Sequence, residues 1–98
     1  MRRDLHLTAK LLDDVEKAAV WYAEQNPETA KRFRAAVRET LLHVEEAPEL
    51  YPVIQPRLRR ALLSRFPYGL YFTLTTEKIV VVACTHHRRH PRRWQSRI

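Results

Sequence analysis

The residues richest in chemistry stand near the C-terminal end, as His86-His87-Arg88-Arg89-His90-Pro91-Arg92-Arg93-Trp94, with Arg97 beyond. An arginine guanidinium is planar, stays charged and donates two parallel hydrogen bonds, so such a run suits phosphate or carboxylate groups on a partner. Trp94 adds a ring able to stack on a base or fill an apolar pocket. Arg88, Arg89, Arg92, Arg93 and Trp94 are therefore the candidate target-binding residues. Arg57, Arg59, Arg60 and Arg65 stand on or beside a short apolar run and extend the same cationic surface. The histidines carry less. His86 and His87 are adjacent, so on a strand they face opposite ways; His86 and His90 stand four apart, a spacing that brings two ligands together on a helix but not on a strand, and no cysteine cluster accompanies them, so no metal is expected. No G-x-S-x-G, no serine near a histidine and acid set and no Gly-rich phosphate loop is present, and no cofactor is expected.

The formal net charge of +7 hides a sharp asymmetry. Residues 1–56 carry eight Lys+Arg against ten Asp+Glu, whereas residues 57–98 carry ten against Glu77 alone, a local balance of +9. A field of one sign over a small surface steers acidic partners: nucleic acid, anionic lipid or an acidic peptide. Ten bases against one acid favour a bound partner over a tail that merely aids solubility. A membrane is the weakest of these partners, because no apolar stretch approaches the roughly 20 residues of a spanning helix and no signal peptide opens the chain. Cys84 is the only cysteine, so no internal disulfide forms and a reducing cytoplasm is the expected compartment. It stands inside an apolar run and reads as a small buried hydrophobe, not as a reactive thiol.

At 98 residues, 45% of them hydrophobic, the chain is sized for a single domain spanning 1–98. After a short apolar start at Leu5–Leu7, Thr8 is placed to cap a helix whose apolar positions Leu11, Leu12, Val15, Ala18, Ala19 and Tyr22 follow three-four spacing, with Asp13, Asp14, Glu16 and Lys17 facing away. Asn26-Pro27 ends that helix and opens another, striped by Ala30, Phe33, Val37, Leu41 and Val44. The short join predicts an antiparallel helical hairpin. Pro48, Pro52 and Pro56 then carry an irregular stretch. Ala61–Leu63, Leu70–Leu74 and Ile79–Cys84 read as three strands joined by connections short enough for hairpins, hence an antiparallel meander, with the Leu5 segment available to join its edge.

This order of elements, with the tail, resembles the RelE/ParE superfamily of bacterial toxins from type II toxin-antitoxin modules. The resemblance rests on Leu11-Leu12-Asp13-Asp14-Val15 leading to Trp21-Tyr22-Ala23-Glu24-Gln25-Asn26-Pro27, on Phe66-Pro67-Tyr68-Gly69-Leu70-Tyr71-Phe72, and on Val81-Val82-Ala83-Cys84-Thr85-His86 continuing through Trp94. Many ParE-like members end with a similar histidine, paired arginines, proline and tryptophan, usually with glycine in place of His87 and an acid in place of His90. The resemblance implies an α+β fold of order β-α-α-β-β-β, the helical hairpin packed on a small antiparallel sheet. It also implies a cognate antitoxin that wraps and neutralises the toxin, within a possible hetero-oligomer. Arg57, Arg59, Arg60 and Arg65 are the residues expected to meet that antitoxin.

The superfamily divides between ribosome-dependent messenger RNA cleavage, as in RelE-like toxins, and poisoning of DNA gyrase, as in ParE-like toxins. The basic residues and C-terminal tyrosine of the nucleases align with Arg60, Leu62, Gly69, Arg89 and the neighbourhood of Trp94, so only Arg60 and Arg89 stay basic. Leu62 and Gly69 cannot stabilise a scissile phosphate, and tryptophan has no ionisable hydroxyl. The expectation is a ParE-like, non-enzymatic inhibitor of gyrase. The alternatives are a ribosome-dependent endoribonuclease using Arg60, Arg89 and His90, with Arg65 or Tyr68 as further substitutes, and a non-toxic basic module that binds nucleic acid through its arginines and Trp94.

Overall fold

The helical layer begins where the capping residues place it. The computed structural model describes residues 3–87. Thr8 lies in extended backbone ahead of α1 (Ala9–Gln25), and its Oγ1 accepts the Leu11 N–H at 3.1 Å, satisfying one of the helix's orphan donors. The Thr8 hydroxyl also donates to the Val81 carbonyl at 3.2 Å, pinning the helix start to the sheet. Asn26 repeats the cap for α2 (Pro27–Glu46): its Oδ1 accepts the Glu28 N–H at 2.9 Å, while its own N–H donates to the Tyr22 carbonyl at 2.8 Å. One residue thus closes α1 and opens α2, and the chain reverses with no loop.

The sheet contains β1 (Asp4–Leu7), β2 (Val53–Gln55), β3 (Leu58–Leu62), β4 (Tyr68–Leu74) and β5 (Lys78–His86), in the order β1-β5-β4-β3-β2. Strands β3, β4 and β5 form the expected antiparallel meander. The Leu5 segment joins its edge beside β5, running parallel to it, so the five-stranded sheet is mixed. Two local differences from the sequence reading concern the proline-rich stretch. Pro48–Leu50 forms a single 3₁₀ turn, and Val53–Gln55 pairs antiparallel with β3, with Pro52 and Pro56 flanking it at the sheet's rim, where a missing N–H is tolerated. The next strand begins at Leu58, not Ala61, because Arg59 and Arg60 are polar strand residues that mask its period.

Both helices pack on one face of this sheet. Phe33 has no exposed surface, and its ring meets Tyr22, Phe66 and Tyr68 at centroid distances of 5.2, 5.3 and 5.2 Å, the tilted and edge-on arrangements that aromatic quadrupoles favour. Leu11, Ala18, Ala19, Val37 and Val44 from the helices and Leu70, Phe72, Ile79 and Val81 from the sheet complete this core. On the other face Leu58, Tyr71, Val82 and Ala83 form a second cluster with Ile54 and Val80. A register shift opposite Tyr71 and Phe72 leaves Val82 as an extra residue in β5, so consecutive residues Val82 and Ala83 both reach that cluster.

Two helix positions depart from the simple amphipathic reading. Leu12 is 54% exposed, because the turn of α1 at Leu11 already fills the sheet contact. Asp14, expected to face away, instead turns to the sheet and accepts the Cys84 N–H at 3.0 Å. β1 ends at Leu7, opposite Val81, so the β5 backbone beyond Val81 has no strand on that side, and a helix carboxylate supplies the acceptor.

Removing the Phe33 ring deletes the contact joining the two layers. Phe33→Ala is expected to lower unfolding free energy by about 3–5 kcal/mol, read from urea midpoints with the slope unchanged. Cys84 is buried and free, and burial first, then the Asp14 carboxylate, pushes its thiol up to about 12 from 9.0. The unfolded chain therefore loses this proton first. The stability this thiol contributes is complete below 9.0 and is lost as pH rises toward the folded value. Cys84→Ala is expected to reduce the alkaline loss of stability, and the native thiol to resist iodoacetamide at neutral pH until denaturant is added.

Candidate functional site

The four arginines of the first half of the sheet separate by strand alternation and by turn geometry. Arg59 lies opposite Phe72 in the β3–β4 register, on the helix-covered side. One of its guanidinium nitrogens, Nη1, donates to the Tyr51 carbonyl at 2.8 Å and the Glu49 carbonyl at 3.3 Å. That fork holds the 3₁₀ turn against the sheet, so Arg59 is engaged within the fold. Burial first, and then the Glu46 carboxylate, raise the Tyr51 phenol above its ordinary value, so it stays protonated at neutral pH and is no general base.

Arg60 lies opposite Tyr71, and Leu62 lies opposite Gly69, so Arg60, Leu62 and Gly69 meet on the outer face of the sheet. Three of the five positions aligned with the nuclease residues are thereby neighbours in space. Their chemistry is mostly apolar. A Cβ on Gly69 would come within 3.3 Å of Leu62 Cδ2 and 3.4 Å of Arg60 Cγ and Tyr71 Oη, so a side chain there requires the Leu62 side chain to give by a few tenths of an ångström. Leu62 is exposed. The Arg60 Nε is buried and has no hydrogen-bond partner among the described residues, leaving a charged donor unsatisfied, a state that costs about 1–3 kcal/mol or more.

Arg57 and Arg65 stand at the two ends of β3, and both hold left-handed backbone, with φ of 67° and 70°. Arg57 follows Pro56 in the tight connection from β2, where glycine or asparagine is the relaxed choice. A left-handed residue other than glycine costs roughly 1–2 kcal/mol. Both side chains are exposed and, among the described residues, make no ion pair or hydrogen bond. Arg65 also lines a cleft with Phe66 on the β3–β4 connection and with Arg32, Ala35, Ala36 and Glu39 of α2. Arg32 has no distinguishing mark in the sequence, where it is one base among several on a polar helix face. Only the docking of the β3–β4 connection on α2 sets it beside Arg65.

At the C-terminal end, His86 completes β5 and meets Tyr68 edge-on at 5.4 Å and His87 at 5.8 Å. These rings continue the aromatic packing of Phe33 and Phe66, which accounts for His86 without a ligand. Arg88, Arg89, His90, Arg92, Arg93 and Trp94 lie outside the described residues. No helix among the described residues is long and apolar enough to cross a membrane.

The described residues thus place exposed arginines at both ends of β3 and an apolar patch on the outer face of the sheet. The family model for the ParE toxin of type II toxin-antitoxin system, parDE, matches residues 5–91, running from β1 through the helical hairpin and the whole meander. Among solved structures, the chain is similar to the chromosomal ParDE TA system from P. aeruginosa, with a TM-score of 0.77 and 19% identity over 86% of this chain and 95% of that one. At that identity the likeness concerns the fold. No curated protein matches the sequence. With nearly every element of the fold inside the matched span, this chain belongs to the family of ParE toxins of type II toxin-antitoxin systems.

Proposed function

We propose that the protein arrests growth by binding and inhibiting DNA gyrase in the cytoplasm, and that a cognate antitoxin neutralises it by covering its cationic surface. The observation that carries the binding reading is the outer sheet face at Arg60, Leu62 and Gly69. A leucine and a glycine stand there, and neither side chain can transfer a proton or hold a phosphate in a cleavage transition state. What remains is charge arranged for recognition. Arg57, Arg60 and Arg65 have no internal ion-pair partner among the described residues and are assigned to the antitoxin's carboxylates. Arg59 supports them by holding the turn before β2. The tail residues Arg88, Arg89, Arg92, Arg93 and Trp94 are assigned to the target.

One feature favours a second reading, ribosome-dependent messenger RNA cleavage: the unsatisfied Arg60 Nε is the kind of donor that a phosphate oxygen would complete.

A supercoiling assay decides between them. Purified protein is expected to block supercoiling by gyrase, with relief when the antitoxin is added in equimolar amount. Normal supercoiling at excess protein removes the gyrase reading. Codon-positioned transcript ends after induction, lost in Arg60→Ala and Arg89→Ala, would instead establish cleavage.

A further inference from the structure

Residues 32, 35, 36 and 39 follow the three-four spacing of one helix face, and on α2 that face looks onto the β3–β4 connection across an open cleft of ≈ 590 Å³. Arg32, Ala35, Ala36 and Glu39 line it from the helix, and Ser64, Arg65 and Phe66 from the connection. The Phe66 ring packs on Phe33 and Tyr22, at 5.3 and 5.2 Å, which holds it in place in the cleft lining. Arg32, Arg65 and Glu39 make no ion pair among the described residues, although Arg34, two positions from Arg32, is paired with Glu16 at 2.8 Å. Arg65 keeps its place at φ 70°, where asparagine or glycine would relax the backbone.

The composition of this cleft selects its occupant. A nucleic-acid strand brings a phosphate at every step and would set one of them against Glu39, while leaving the apolar lining uncovered. A peptide that presents one carboxylate beside an apolar side chain satisfies both guanidinium forks and covers Phe66 and the two alanines. Glu39 then accepts a backbone N–H or a lysine of the same peptide.

We infer that the Arg32–Arg65 cleft is a docking site for an acidic segment of the antitoxin, an Asp or Glu with an adjoining apolar residue. This rests on the reading above that an antitoxin binds the chain. It adds α2 to a contact surface otherwise assigned to the sheet.

The test compares the full chain with Arg65→Asn, Arg65→Lys, Arg32→Ala and the Arg32→Ala/Arg65→Asn pair, measuring thermal unfolding and calorimetric affinity for the cognate antitoxin and for duplex DNA. Arg65→Asn is expected to raise the melting temperature, because it relieves the left-handed backbone, and yet to weaken antitoxin binding about tenfold. Arg32→Ala is expected to weaken binding similarly, the pair on the order of a hundredfold, and Arg65→Lys less than Arg65→Asn because it keeps the charge. A merely structural arginine would not separate stability from affinity in this way. Tight binding by the parent chain with unchanged affinity in every variant overturns the cleft assignment and leaves the antitoxin reading standing. Loss of affinity for duplex DNA, with antitoxin binding unchanged, also overturns it in favour of a nucleic-acid site. No complex with the parent chain overturns both.

Discussion

Phe33 is the fixed point between the helices and the sheet. Its ring is wholly buried and is held by Tyr22 from the neighbouring helix, by Phe66 from the β3–β4 connection and by Tyr68 at the start of β4. A close-packed aromatic contact of this kind has one good arrangement, since sliding either layer opens a void or creates a clash. The turn between β3 and β4 is therefore held against α2, and its exposed neighbours inherit that placement. Arg32 precedes Phe33 and Arg65 precedes Phe66, so the contact that closes the core also sets two arginines in the lining of one cleft. The caps at Thr8 and Asn26 act toward the same end by fixing where each helix starts.

The cationic character of the second half is not uniform in use. Arg59 is absorbed by backbone carbonyls of the preceding turn. Arg60 runs along the outer face with an unsatisfied buried nitrogen, and Arg57 and Arg65 occupy backbone conformations that disfavour them. A small domain is only marginally stable, and these three arginines each lower its stability, Arg57 and Arg65 at opposite ends of β3 and Arg60 within it. On the same outer face as Arg60, Leu62 and Gly69 stand where the aligned nuclease residues are basic.

The sheet also shows how a small fold closes its own weak edges. β5 is paired by β1 only as far as Val81. Beyond that, Asp14 reaches from α1 to the Cys84 N–H, and the bulge at Val82 twists the strand. At the opposite edge β2 is three residues long and bounded by Pro52 and Pro56. Each device removes backbone donors that would otherwise invite another strand.

Much of this was legible in the residues, because the relevant interactions are local. The Thr8 and Asn26-Pro27 signals act within one helical turn, and the β-branched run Ile79–Val82 declares a strand by itself, so the helical hairpin, the meander and the inert Cys84 follow from sequence. The excess of arginine after residue 56 is likewise read directly from the residues. The direction of β1, the existence of β2 and the inward turn of Asp14 do not follow, since each depends on which distant backbone needs a partner. For the same reason, charge alone made Arg57, Arg59, Arg60 and Arg65 equivalent and left Arg32 unremarked. Only the folded chain separated them, because a guanidinium's availability is decided by the carbonyls, rings and helix faces that packing brings within a few ångströms of it.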